Sequence, residues 1–267
     1  AWDALRARGP ERARVNPERQ LIGGVAVVRY VPPGRTPRRV ILYLHGGSFI
    51  YGSERSHAEI AAGLALAAEA EVILPLYRLA PEHPFPAALE DVITVYHELL
   101  ARGVQSTQLV LAGDSAGGNL TLATLLVLRD SHHALPAGAV PISPWLDLED
   151  QSGSMQRHSR FDWAEPWMFQ RWAKIYLGPG GDARDPRASP ARAELSGLPP
   201  CLLVVGTAEM LYDQVCAFAQ RARACGVEIE LSEWPERVHL WLALKPMFPE
   251  FQATFDKVGE FVKRVTA

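Results

Sequence analysis

The sequence predicts an α/β fold on a mostly parallel sheet, and three observations carry the prediction. Short runs rich in β-branched and aliphatic residues recur along the chain, stretches of helical period separate them, and turn residues punctuate the junctions. Leu21 to Val31 reads as an early strand and Pro32-Pro33-Gly34 as a turn. Val40 to Leu44 is an unbroken apolar run, as in a strand buried on both faces, and it leads into His45-Gly46-Gly47. Ser56 to Ala70 reads as a helix, Val72 to Tyr77 as the next strand and Pro81 to Pro86 as a loop. Ala87 to Ala101 carries Leu89, Val92, Val95, Leu99 and Leu100 at helical spacing. Leu109 to Ala112 is a short buried strand, followed by Gly113-Asp114-Ser115-Ala116-Gly117-Gly118, a helix to about Leu128 and a strand over Ala139 to Ile142.

The pattern breaks at Pro144. From about Asp147 to Pro200 the chain is polar, proline-rich and tryptophan-bearing, with one helical stretch at Pro166 to Tyr176. Phe161, Trp163, Trp167, Phe169 and Trp172 are too apolar for a solvated connection, so 147–200 is expected to fold back over the sheet as a cap. Cys201 to Gly206 resumes the strands, Tyr212 to Ala224 is a helix, Val227 to Trp234 a strand and Phe248 to Val265 a closing helix. We read residues 1–267 as a single domain without internal repeats.

Composition narrows the class. At 267 residues, 48% apolar and 21% charged, the chain is long enough to bury about three quarters of its unfolded surface. Lys and Arg number 27 against 30 Asp and Glu, with no basic block, which argues against a nucleic-acid partner. Cys201, Cys216 and Cys225 are too few for a disulfide scaffold and lack metal-ligand spacing, so a cytoplasmic setting without a metal is expected. No apolar run approaches the roughly 18 residues of a membrane span.

Gly113-Asp114-Ser115-Ala116-Gly117 is a G-x-S-x-G between a short strand and a helix. A serine hydroxyl becomes a nucleophile when a tight strand-to-helix turn presents it, and flanking glycines let that turn approach neighbouring backbone. Ser115 is therefore the candidate nucleophile. Acyl transfer also needs backbone donors for an oxyanion, and His45-Gly46-Gly47-Ser48 follows a buried strand where such a loop belongs. Gly47 and Ala116 are the expected donors, assisted by Gly46 or Ser48. Elbows of this kind take their partners in the chain order serine, acid, histidine. Of the later histidines, His132 and His133 lie at a polar helix end and His158 in the expected cap, whereas His239 sits on the turn after the last strand. Glu209 and Asp213 both follow Cys201 to Gly206 and compete as the acid, with Asp213 better suited to a helix N-terminus.

These residues resemble the hormone-sensitive-lipase family of α/β-hydrolase esterases, the bacterial group often called family IV. His45-Gly46-Gly47-Ser48-Phe49 is similar to its H-G-G-G-[FW], Tyr77 to Ala87 to its Y-R-L-A-P-E-x-x-F-P-A, and Gly113 to Asn119 to its G-D-S-A-G-G-N. Ser189-Pro190 and Leu198-Pro199-Pro200 resemble the end of its cap, and Val238-His239 its histidine turn. Two positions depart. Ser48 stands where the family has a third glycine, and Glu209-Met210-Leu211-Tyr212-Asp213 resembles D-P-L-x-D with Glu209 in the aspartate's place. The resemblance implies an α/β-hydrolase fold, a Ser115, His239 and Glu209 triad, short to medium acyl esters as small-molecule substrates, and no cofactor. It implies a cap completed by an N-terminal segment, for which residues 1–17 are the candidate. Arg78 or Glu82 is expected to bond the oxyanion loop, and Trp163, Trp167 and Phe169 are candidate substrate walls. A homodimer through the last strand is compatible with its apolar character. A catalytically silent binder on the same scaffold, as in the related plant gibberellin receptors, and an amidase using the same triad are the alternatives.

Overall fold

The computed structural model describes residues 11, 14–34, 37–242 and 251–267. Its strands are β1 (Asn16–Ile22), β2 (Val25–Val31), β3 (Val40–Leu44), β4 (Glu71–Pro75), β5 (Leu109–Asp114), β6 (Gly138–Ile142), β7 (Cys201–Gly206) and β8 (Ile229–Trp234). They form one sheet in the order β1-β2-β4-β3-β5-β6-β7-β8. From β4 through β8 every neighbouring pair is parallel, while β2 runs antiparallel to both β1 and β4. The helices are α1 (Glu54–Ala68), α2 (Ala87–Ala101), α3 (Ala116–Asp130), α4 (Gly153–Arg157), α5 (Pro166–Leu177), α6 (Tyr212–Ala224) and α7 (Phe251–Val265).

Both faces of the sheet are covered, which is why β3 and β5 read as continuous apolar runs. Val40, Leu42 and Leu44 of β3 pack with α2, α3 and α6, while Ile41 and Tyr43 pack with α1 and α7. Burying each such side chain is worth about 1.5–3 kcal/mol.

Three expectations need correction. Leu21 to Val31 is a hairpin rather than one strand: Gly23 and Gly24 take φ of 58° and 84°, the two-residue turn that reverses the chain, and Ile22 pairs with Val25. The first arm was hidden because all but Gln20 and Ile22 of β1 are exposed and its sequence is polar. Asn16 and Pro17, expected in a cap with 1–15, begin β1; residues 1–10 lie outside the described residues. Helix α1 starts at Glu54, not Ser56, because Ser53 caps it: Ser53 Oγ accepts from Ser56 N at 3.2 Å and Ser56 Oγ accepts from Ser53 N at 2.9 Å. The expected start of the closing helix at Phe248 also lies outside the described residues, and α7 begins at Phe251.

Between β6 and β7 the chain carries α4 and α5. Phe169, Trp172, Ala173 and Tyr176 form the buried stripe of α5. Tyr176 stacks on Phe49 with ring centroids 3.6 Å apart, and Phe169 meets Trp145 edge-on at 5.2 Å. These contacts seat the 147–200 segment over the carboxyl ends of β3 and β6, the end of an α/β sheet where ligands bind. Among the described residues no helix is long and apolar enough to cross a membrane.

Candidate active site

Ser115 sits between β5 and α3 with φ 54° and ψ −115°, a conformation that costs a non-glycine residue about 1–3 kcal/mol. Its backbone is held on both sides, Ser115 N donating to Ile142 O at 2.9 Å and Ser115 O accepting from Trp145 N at 3.1 Å. Glycine is required beside it, since a Cβ on Gly117 would collide with the Leu44 carbonyl. Ser115 is nearly buried, and its Oγ lies 2.9 Å from His239 Nε2. His239 Nδ1 lies 3.1 Å from Oε2 of Glu209, which is fully buried. The other carboxylate oxygen, Oε1, accepts from Ser143 Oγ and Gly206 N, each at 2.6 Å.

Asp213 does not join this chain. From the first turn of α6 its carboxylate accepts from Ser154 N at 2.7 Å and pairs with Arg157 at 3.1 Å, tying down α4.

Of the four expected oxyanion residues, one has its donor occupied. Gly46 N donates to Asp114 Oδ1 at 2.9 Å and is unavailable to a substrate. The N–H groups of Gly47, Ser48 and Ala116 have no hydrogen-bond partner among the described residues, Ala116 because it opens a helix. Gly47 and Ser48, with φ of 122° and 55°, turn the loop beside His239, and both line a cavity of about 900 Å³. Trp163, Trp167, Met168, Trp172 and Ile175 form one wall of that cavity. Phe169 does not line it: at 5% exposed it faces inward, held edge-on between Trp145 and Trp172.

Neither residue expected to bond the oxyanion loop does so. Arg78 binds Asp91 at 2.9 Å through Nε, and Glu82 is exposed. The bond comes from Tyr77, whose hydroxyl donates to the His45 carbonyl at 2.5 Å while its ring stacks on His45 at 4.2 Å. Two further residues went unnoticed in the sequence. Ser143 bonds Glu209 from the end of β6, its one signal being its place beside the break at Pro144; Asp114 accepts from Tyr43 at 2.6 Å as well as from Gly46. Among the described residues no group of three or more His, Cys, Asp or Glu is arranged to hold a metal ion.

A family model described as alpha/beta hydrolase fold matches residues 41–243. The chain is 42% identical over 244 residues to an acetyl-hydrolase of Streptomyces hygroscopicus, spanning 91% of this chain and 81% of that one. It is 33% identical over 224 residues to an esterase of Acinetobacter venetianus, spanning 84% and 74%. The crystal structure of an esterase from the bacterial hormone-sensitive lipase family superposes with a TM-score of 0.96 at 37% identity, covering all of this chain and 90% of that one. This chain belongs to the hormone-sensitive-lipase family of alpha/beta-hydrolase esterases.

In this esterase the site's electrostatics favour a basic imidazole. Burial pulls His239 down, but the hydrogen bond and charge of Glu209, with the charges of Asp162 and Asp114, outweigh it and hold its pKa above the ordinary 6.5. His45 goes the other way. Burial and the neighbouring His57 lower it to about 4, so the esterase keeps His45 neutral at the base of the oxyanion loop.

Proposed function

We propose that this esterase hydrolyses esters of short to medium acyl chains through a Ser115, His239 and Glu209 triad and an acyl-enzyme intermediate. The observation that carries the reading is the continuous path from Ser115 Oγ through both ring nitrogens of His239 to Glu209, at 2.9 and 3.1 Å. Ser115 Oγ attacks the ester carbonyl carbon as its proton passes to His239 Nε2. The oxygen that becomes negative is met by the N–H groups of Gly47, Ala116 and Ser48, each such donor being worth about 3–4 kcal/mol to the transition state. Collapse breaks the bond to the alkoxy oxygen, which leaves as the alcohol with the proton from Nε2. Water then attacks the acyl carbon, Nε2 takes its proton, and the acid departs as that proton returns to Ser115 Oγ. Glu209 stays ionised throughout and keeps the Nδ1 proton in place.

The apolar wall of the cavity supports an acyl or alcohol group of several carbons, with Trp163 and Trp167 as substrate contacts and 147–200 acting as a cap. The free cysteines support a reducing, cytoplasmic setting, and the edge position of β8 supports pairing of two copies, which gel filtration tests. The test of the reaction is turnover of p-nitrophenyl esters of increasing acyl length by the native chain and by Ser115→Ala. A fall of about a millionfold in the variant is expected. A folded native chain that turns over no ester refutes the reading.

A further inference from the structure

Asp162 lies between α4 and α5, and its carboxylate gathers three backbone N–H groups. Oδ1 accepts from His239 N at 3.2 Å and from Trp163 N at 2.9 Å, and Oδ2 accepts from Met210 N at 3.0 Å. Met210 follows Glu209, so one side chain from the 147–200 segment holds both the loop that carries the base and the loop that carries the acid. These loops leave different strands, β8 and β7. They are tied to each other near the strand ends, where Thr207 N meets Trp234 O at 2.9 Å and Ala208 N meets Arg237 O at 3.1 Å. At the level of the functional side chains the ties come from the crossing segment. His158 Nδ1 lies 2.9 Å from the Glu209 carbonyl, and the Trp163 indole N–H donates to the His239 carbonyl at 3.1 Å. The Trp163 ring also lies over the imidazole, with centroids 5.8 Å apart and planes inclined by 26°.

We propose that Asp162 is a positioning residue for the triad: it sets the spacing of base and acid and makes assembly of the triad depend on how the 147–200 segment is seated. The inference rests on the triad reading above. Hydrogen bonds to a carboxylate are about twice as strong as neutral ones, and a 1 Å displacement of reacting groups can cost about 10²-fold in rate. Loss of Asp162 therefore acts on turnover rather than on substrate affinity. It also removes charge from the imidazole's surroundings, where burial lowers the pKa and Glu209, Asp162 and Asp114 raise it. His158, another titratable group of the segment, faces the Glu209 carbonyl.

The experiment compares Asp162→Ala and Asp162→Asn with Asp213→Asn, which loosens the same segment where it meets α6. kcat and KM are measured with p-nitrophenyl butyrate, and kcat/KM is followed across pH. Asp162→Ala is expected to lower kcat about 10²-fold with KM near the native value. Asp162→Asn keeps an acceptor for His239 N but sets its NH₂ against the Met210 N–H, and so loses less. Both Asp162 variants move the acid limb of kcat/KM to lower pH, and Asp213→Asn leaves that limb in place. Native kcat in both Asp162 variants, or a lowered kcat with an unmoved acid limb, overturns the proposal. If the alanine variant fails to fold by circular dichroism, the asparagine variant decides by the same two readouts. Ser115→Ala separates the failures: if it keeps activity the triad reading fails, whereas if it is inactive beside native-like Asp162 variants only this inference fails.

Discussion

Replacing Glu209 with glutamine changes one charge and almost no volume, and the site geometry dictates which way the amide turns. Oε1 accepts from two donors, the Ser143 hydroxyl and the Gly206 N–H. Ser143 can rotate and accept instead, but a backbone N–H can only donate, so the glutamine carbonyl must stay at the Oε1 position. The NH₂ group is then forced against His239 Nδ1, 3.1 Å from where Oε2 stood. Nδ1 becomes an acceptor, the ring proton moves to Nε2, and Nε2 can no longer take the proton of Ser115. The equivalent tautomer error in a serine-protease triad costs about 10⁴ in kcat, equal to about 5.5 kcal/mol of barrier. Initial rates on p-nitrophenyl butyrate read this directly, with Asp213→Asn as the comparison because that carboxylate bonds Ser154 and Arg157 instead. A Glu209→Gln enzyme within tenfold of native, or an Asp213→Asn enzyme equally impaired, would refute the assignment of Glu209 as the acid.

Other consequences are open to measurement. Because the base must be neutral and His239 is held above 6.5, kcat/KM should rise with pH through a single ionisation whose midpoint lies above that value; a midpoint below 6.5 contradicts it. His45 has a folded-state pKa of about 4 against 6.5 unfolded, so the unfolded chain binds the extra proton as pH falls, and the resulting loss approaches about 3 kcal/mol by pH 4. His239 is shifted the opposite way, its contribution being present below its unfolded value and lost as pH rises, so the His45 effect is read as the difference between native and His45→Gln urea midpoints at pH 7 and pH 5. The gap should widen in favour of the variant at pH 5, and an unchanged gap counts against a buried neutral His45. Phe169→Ala should cost about 3–5 kcal/mol of stability and leave acyl-length preference intact, whereas Trp167→Ala, at an exposed cavity wall, should shift preference with little loss of stability. Equal effects on preference would place Phe169 in the pocket after all.

The parallel half of the sheet was legible because both of its faces are covered: β3 and β7 carry no charged residue, and β5 carries none before Asp114. The hairpin was not, since β1 buries almost nothing and only Gly23-Gly24 marks the reversal. Elbow and chain order pointed to Ser115 and His239, while the choice of Glu209 over Asp213 came from the resemblance to D-P-L-x-D, since order and spacing left both carboxylates open. Gly46 misled for a physical reason: an oxyanion loop needs some donors for the loop itself, and sequence does not say which N–H turns inward to Asp114. Phe169 misled similarly, as an aromatic on a helix looks the same from either face until Trp145 is known to lie beneath it. Ser143 and Tyr77 act through hydrogen bonds across 66 and 32 residues of chain, and two of the three bonds that Asp162 accepts span 48 and 77; no local pattern records such pairings.

Strand order explains why these supports are needed. Neighbouring strands lie about 4.8 Å apart, so Ser115 after β5 and His239 after β8 start from strand ends separated by roughly 14 Å. Their side chains nevertheless meet at 2.9 Å, so the chain after β8 must double back across the ends of β7 and β6. Left-handed residues on either side of His239, Glu236 at φ 59° and Leu240 at φ 56°, make that reversal. A reversed loop reaching over two strand ends has no sheet partner at its tip, and the groups that meet it there come from whatever else occupies those ends. After β6 that is Ser143, which reaches Glu209. Above β6 and β7 it is the crossing segment, whose Asp162 and Trp163 bond the backbone of His239 itself. His239, the proposed base, is thus held in place by the same segment that walls the cavity, so substitutions in that wall should affect turnover as well as substrate choice.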